Sequence, residues 1–533
     1  MRLRDVFDLT WRTALAAGLM LMGIDLAGAA EPAGSARAAA LYQEHCAACH
    51  GTQRTGGMGP ALLPESLARL RKPEALKVVT QGRIATQMPR FDDKLGADEI
   101  AALAQWIYTP VSPAPSWSDA DIRASRVQTV DAKTLPHKPK WSADPMNLFV
   151  VVEGGDHHVS LVDGDRFEPI HRFASRYALH GGPKFTPDGR FVYFGSRDGW
   201  ITRYDLWNLT VVAEVRAGLN MRNVAVSGDG RWVLAANYFP HTLALFDAEL
   251  NLVRTYAAAT LDGKTSSRVS AVYDAAPRKS FVVALKDIAE LWEISYDPEA
   301  EPIHDGLVHD YRMGEALAKP GTFGVRRTPL DEPLDDFFFD QAYRHVLGAT
   351  RPKAGGGPNA QVINLDIRRK IAALPIAGMP HLGSGITFAW NGTTVLASPN
   401  LKDGAIDVID MKTWKLVRTI ATPGPGFFMR SHENTPYAWA DSMMSATAKD
   451  TLTLIDKRTL EPVATLREPG RTLAHIEFTK DGSHALASLW EDDGALIVYD
   501  AKTLKEVKRL PMRKPVGKYN VWNKITRSEG TSH

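Results

Sequence analysis

The chain has 533 residues, 44% of them hydrophobic and 23% charged, which is enough for two or more separately packed domains. Its 63 Lys and Arg against 61 Asp and Glu leave a formal charge of +2, which excludes nucleic-acid or membrane-surface binding driven by bulk charge. Any anionic ligand must be met by local basic sites.

Residues 1–30 read as an export signal. Arg2 and Arg4 precede an apolar run from Ala14 to Met22, and Ala27-Gly28-Ala29-Ala30 offers small residues for cleavage. Asp25 interrupts the run well short of the ~20 apolar residues of a span, so the expectation is cleavage, no stable membrane span and a periplasmic location.

The two cysteines lie together in Cys46-Ala47-Ala48-Cys49-His50. An exported chain can use such a pair as a disulfide. C-x-x-C-H is, however, the pattern of covalent haem c attachment, in which both thiols bind the ring and the imidazole, here His50, ligates iron. The alanine-rich stretch before it predicts a helix, and Gly56-Gly57-Met58-Gly59-Pro60 a loop whose backbone can pass close to a flat macrocycle. Gln87-Met88-Pro89-Arg90-Phe91 follows, then an apolar-periodic helix through Ile100, Leu103, Trp106 and Ile107. This succession resembles class I cytochrome c, an all-α domain placed here at 31–112. The resemblance makes Met88 the second axial ligand, with Met58 its competitor, and His/Met ligation suits one-electron transfer. Pro110, Pro113 and Pro115 open a linker over 113–140 that is expected to permit several domain arrangements.

From 141 to 533 the chain repeats an alternating strand phrase closed by an acidic residue. Copies end at Asp163, Asp205, Asp247, Glu293, Asp366, Asp410, Asp456 and Asp500. The usual interval is near the ~40–45 residues of a four-stranded propeller blade, so an all-β eight-bladed β-propeller is expected. The longer gap between Glu293 and Asp366 predicts an insertion around 295–330. Thr186-Pro187-Asp188-Gly189, Ser227-Gly228-Asp229-Gly230 and Thr479-Lys480-Asp481-Gly482 supply turns before strands.

A cytochrome c domain fused to an eight-bladed propeller resembles the cytochrome cd1 nitrite reductase group and its relatives in haem d1 assembly. Tyr177-Ala178-Leu179-His180, with Gly195-Ser196-Arg197-Asp198-Gly199 and Tyr204-Asp205-Leu206-Trp207, is similar to the family segment carrying the proximal haem d1 ligand, which implies that role for His180. Arg197 and Arg222 resemble positions that hold the ring's carboxylates, and Tyr238 a neighbouring pocket residue. His381, in Pro380-His381-Leu382-Gly383-Ser384-Gly385, resembles one of two distal histidines and is expected on a loop able to swing over the ring. The other falls at Asp335, which argues against nitrite reduction.

His475 and Tyr519 resemble residues that the dihydro-haem d1 dehydrogenases of this group place beside the reacting side chain. The implied reaction converts a propionate of dihydro-haem d1 to the acrylate of haem d1, with His475 as a base titrating near neutrality and electrons passing to haem c. The implied partners are the tetrapyrrole substrate, a periplasmic electron acceptor and, transiently, a cytochrome cd1 nitrite reductase. The chain is expected to be a monomer that binds no nucleic acid. Rival readings are a nitrite reductase, a non-catalytic haem d1 carrier and a plain electron-transfer cytochrome. His157, His158, His171, His241 and His432 are expected at the surface or in loops.

Overall fold

Helix Ala33–His45 buries Ala38, Leu41 and Tyr42, spaced to share one face, against Ile100 and Leu103 of helix Ala97–Trp106. This pairing positions Cys46, which directly follows the first helix, and the short turn Ala47–His50. The computed structural model describes residues 33–57, 59–67, 70–82, 88–304, 318–351 and 359–531. The export-signal segment, Met58 and the 305–317 part of the insertion lie outside the described residues. Among the described residues no helix is long and apolar enough to cross a membrane.

The 113–140 segment differs from the expected free tether. Ser118 caps helix Asp119–Ser125, and strand Val127–Gln128 adds a fifth strand to the sheet of the second blade, pairing with Glu214 and Ala213. Ile122 and Ala132 are buried in that blade's core, and the Trp117 indole donates to the Arg216 carbonyl at 2.9 Å. The apolar side chains among the polar residues find seats on the propeller and hold the segment in place. Arg216 also donates to the Thr55 carbonyl at 2.7 Å, joining the loop after His50 to the propeller.

Eight antiparallel sheets follow, seven with four strands and one with five. The repeated acidic phrase is the third strand of each blade, and its final side chain explains the repetition. The Asp205 carboxylate accepts the backbone N–H groups of Trp207 and Asn208, and Asp410, Asp456 and Asp500 accept those of residues two and three positions on. These Asx turns send the chain into the fourth strand. In two blades the structure shifts the expected position: Asn364, not Asp366, caps the fifth, and Ser295, not Glu293, the fourth. The insertion falls between strands Glu290–Ser295 and Val325–Pro329 of the fourth blade. The Asp-Gly turns form as expected, with Gly189, Gly230 and Gly482 at φ of +68, +72 and +71, a region glycine occupies without strain.

The ring is closed by the C-terminal strand Pro515–Asn520, which pairs with Leu148–Glu153 in the register Phe149↔Asn520 and Val150↔Tyr519. Buried Asn147 locks this seam: its side-chain oxygen accepts from the Lys480 N–H at 2.9 Å and from the Asn520 amide at 3.0 Å. Asn147→Ala leaves both donors unsatisfied and is expected to lower stability by about 1–3 kcal/mol. Thermal unfolding followed by circular dichroism checks this, with the haem c spectrum unchanged.

Candidate active site

Every blade contributes to one cavity of about 290 Å³ at the propeller axis. His180 enters on the loop before strand Lys184–Phe185, Arg222 on Asn220–Val226, Tyr273 on Val269–Ala275, and Asp336 on Asp336–Phe339. His381 precedes Ile386–Trp390, Arg430 ends Met429–Arg430, His475 lies on Leu473–Phe478 and Tyr519 on Pro515–Asn520. Residues 339 positions apart in sequence, His180 and Tyr519, thus share one wall: a Cβ on Gly182 would stand 3.1 Å from the Tyr519 ring. Glycine there, at φ +70, is what lets the His180 loop pass.

The His180 and His381 rings are set in the same way. His180 Nδ1 donates to the Arg222 carbonyl at 2.7 Å, and His381 Nδ1 donates to the Phe427 carbonyl at 2.9 Å. Each hydrogen bond selects the tautomer whose Nε2 carries a lone pair, the form that ligates a metal. Arg197 donates to His180 Nε2 at 2.8 Å and Arg222 at 3.1 Å; Arg222 lines the cavity, where it can meet an anionic ring's carboxylates, and Arg197 reaches it through His180. His381 Nε2 stands 3.8 Å from an Asp336 carboxylate oxygen.

The loop carrying His381 departs from the swinging flap expected of it. Its backbone N–H donates to the Pro399 carbonyl at 2.9 Å, Asn400 accepts from the Met379 N–H, and the Phe427 ring packs 4.0 Å from the imidazole. The neighbouring strand segments supply partners for a loop whose glycines suggested freedom. Asp335, expected at the place of the second distal histidine, is ion-paired with Lys286, and its neighbour Asp336 is the one that lines the cavity. Tyr238 is buried beside Arg268 and does not line the cavity. His432 and His157, expected at the surface or in loops, lie in a loop and a turn, both buried and neither lining the cavity.

His475 sits in a bulge where Ala474 pairs with Ser488 and Glu477 with Leu486, and its φ of +50 turns the side chain into the cavity. Its ring packs against Phe428 at 4.5 Å and Tyr519 at 5.3 Å, and neither ring nitrogen has a hydrogen-bond partner among the described residues. Burial, with Lys518, Arg430 and Lys524 nearby, holds its pKa well below the ordinary imidazole value. This departs from the expectation of a base titrating near neutrality: burial first, and the basic side chains beside it second, favour the unprotonated ring. Burial pushes Tyr519 up to about 12, so it keeps its proton.

Several basic side chains are buried around this wall, with Glu477 and Asp441 the acids nearest them. Burial lowers Lys184 to about 8 and drives Lys518 and Lys524 well below the usual lysine value. Buried Arg430 donates one hydrogen bond to the Met429 carbonyl at 2.7 Å, while its Nε has no partner among the described residues. A polyanionic ligand relieves this arrangement. Arg430, Asp336 and Phe427-Phe428 were not singled out in the sequence. Their signal was positional, since each lies where an inner strand begins, the place that also supplied His180 and His381.

In the N-terminal domain, His50 Nδ1 donates to the Pro60 carbonyl at 2.8 Å, leaving Nε2 for a metal. A Cβ on Gly59 would stand 2.7 Å from the His50 ring, so only glycine lets the loop lie against it. Cys46 and Met88 pack on one apolar cluster with Leu41, Tyr42 and Phe91, and both cysteines are free thiols. These residues fit a covalently attached haem.

Residues 143–309 and 316–524 match the family described as Cytochrome D1 heme domain, and residues 33–107 match Cytochrome C oxidase, cbb3-type, subunit III. The chain belongs to the cytochrome d1 haem-domain family. It is 54% identical to the dihydro-heme d1 dehydrogenase of Pseudomonas aeruginosa over 97% of this chain and 99% of that protein. It is 27% identical to the nitrite reductase of Stutzerimonas stutzeri over 96% and 97% of the two chains. The solved structure of dihydro-heme d1 dehydrogenase NirN in complex with DHE matches with a TM-score of 0.82 and 54% identity, covering 92% of this chain and all of that one. Within this d1-type propeller, the cavity lies where all eight blades meet.

The depressed pKa of His475 has a defined sign. The unfolded chain takes up this proton near pH ~6.5 and the folded chain does not, so His475 subtracts stability as pH falls below that value. In protein without a tetrapyrrole, imidazole NMR is expected to show His475 protonating only below the ordinary imidazole midpoint of ~6.5. Lys518→Met is expected to raise the His475 midpoint.

Proposed function

We propose that this chain is an oxidoreductase that dehydrogenates dihydro-haem d1, converting one propionate to acrylate in the last step of haem d1 biosynthesis. The observation that carries the reading is His475: an unprotonated, buried imidazole with two unpartnered nitrogens, facing the cavity that His180 and His381 also line. The 54% identical relative, named a dihydro-heme d1 dehydrogenase, supports it.

A bound ring would be held through its iron by His180 and His381, each with Nε2 free to ligate, and through its carboxylates by Arg197 and Arg222. Tyr238 backs Arg222 from outside the cavity. Turning CH2–CH2 into CH=CH releases two protons and two electrons. His475 takes the protons in turn, returning each to solvent, because a neutral imidazole is the basic form. Tyr519 stays protonated and orients the side chain by donating a hydrogen bond. A haem c held by Cys46, Cys49, His50 and Met88 supplies a one-electron acceptor when bound. Arg216 joins the loop beside that haem to Asp198, next to Arg197, through hydrogen bonds to the Thr55 and Asp198 carbonyls.

The reaction belongs in the periplasm on the reading of residues 1–30 as an export signal. A periplasmic acceptor takes the electrons, a cytochrome cd1 nitrite reductase receives the product through a transient contact, and the enzyme acts as a monomer.

The test is anaerobic mixing with dihydro-haem d1, followed by extraction and mass measurement of the ring. Product lighter by two hydrogens is expected, and His475→Ala is expected to slow its formation at least ~100-fold, the contribution of a positioned base. Acrylate formation at the normal rate by His475→Ala overturns the mechanism. Intact ring binding without any mass change in the unmodified protein shows a carrier instead.

A further inference from the structure

Asp441 is the last residue of strand Tyr437–Asp441 and is 1% exposed. No basic side chain bonds to it among the described residues, so its carboxylate is spent on backbone donors. One oxygen accepts the N–H groups of Phe427 at 2.8 Å and Phe428 at 3.2 Å, with Met443 at 3.5 Å. The other accepts the N–H of His475 at 3.2 Å.

Phe427-Phe428 and His475, leaving aside Met443 in the turn after Asp441 itself, belong to two segments with different duties. The Phe427 carbonyl receives the His381 Nδ1–H, and the Phe427 ring packs on that imidazole. The Phe428 ring packs on His475. His475 itself holds a φ of +50, a strained conformation for a non-glycine residue that persists only where its surroundings fix it. Two bonded branches therefore leave one buried carboxylate, one ending on the distal imidazole and the other on the unpartnered imidazole. A carboxylate has two oxygens able to accept on both sides. An amide has one acceptor and would turn N–H groups toward N–H groups on the other side.

We infer that Asp441 is a positioning residue that sets the distal ligand His381 and the base His475 in one mutual geometry. The inference rests on the roles given to those histidines in the proposed dehydrogenation. Asp441 touches neither the ring nor the reacting carbons. It keeps the grip on the iron and the reach to the propionate in register, so loosening it degrades both at once.

The test uses the full-length protein with its haem c, as Asp441→Asn and His381→Ala singly and combined. Dihydro-haem d1 is bound anaerobically, and the ring's visible absorption band, kcat and KM are recorded. For Asp441→Asn, kcat is expected to fall ~100-fold, the loss typical of a catalytic group misplaced by about 1 Å. Its ring band is expected to move toward that of the His381→Ala complex. In the His381→Ala background Asp441→Asn is expected to leave the band unmoved, which a general loss of packing would not do. A folded Asp441→Asn protein with wild-type band and kcat overturns the inference, as does a further band shift in the double variant.

Should Asp441→Asn fail to fold, Asp441→Glu retains the charge but pushes the Phe427-Phe428 turn outward by one methylene. It is expected to move band and kcat in the same directions by smaller factors, and wild-type values for both overturn the inference. The band reads ligation alone, so the inference can fail while His475→Ala still abolishes turnover. Conversely, a His475→Ala protein of full activity removes the dehydrogenation mechanism whatever Asp441 does.

Discussion

The pairing of Pro515–Asn520 with Leu148–Glu153 is the constraint on which the site depends, because it converts eight sheets in a row into a ring with one axial cavity. Each blade alone exposes apolar faces and unpaired strand edges, and stacking in a closed circle buries the former and protects the latter. Closure also carries chemistry. The strand that completes the first blade brings Tyr519 onto the wall beside His475, and Lys518 on the same strand donates to the His475 carbonyl. The residue that closes the fold and the residues that tune the base are neighbours on one segment.

Electrostatics around the cavity set a second constraint. Arg222, Arg430, Lys184, Lys518 and Lys524 are withdrawn from water, an arrangement that burial penalises. Proteins retain such groups where a ligand supplies opposite charge, and a tetrapyrrole bearing several carboxylates does so. Burial, together with Lys518, Arg430 and Lys524 of this set, also holds His475 toward its unprotonated form. Binding the anionic ring offsets these cations and raises the affinity of His475 for the proton it removes.

Much of this organisation was legible in the sequence, for identifiable reasons. The eight third strands could be counted because each phrase closes on an acidic residue, in six blades the side chain that caps the following turn. The haem c attachment could be read because its ligands lie within five consecutive residues. What escaped was long-range. Asp441 and Arg430 look like ordinary polar residues in strands, and only the ring of blades brings them beside His381 and His475. The 113–140 segment looked like a tether because prolines and short polar residues dominate it, while the few apolar side chains that dock it, Ile122 and Trp117, carry no pattern of their own. The family resemblance pointed to Asp335, but its neighbour Asp336 lines the cavity, since successive residues of a strand face opposite sides.

The three cavity histidines show how one side chain is given two chemistries by its hydrogen bonds. His180 and His381 each surrender Nδ1–H to a backbone carbonyl, which fixes the ring plane and leaves the lone pair on Nε2. His475 makes no such bond and is held instead by its backbone, by Phe428 and by Tyr519, so neither nitrogen is committed. A histidine pinned through Nδ1 has a fixed ring and one nitrogen left to act, whereas His475 has both nitrogens uncommitted. Division of labour among identical residues therefore follows from which carbonyls lie within reach, and the Phe427 carbonyl that pins His381 belongs to the turn whose next residue packs on His475.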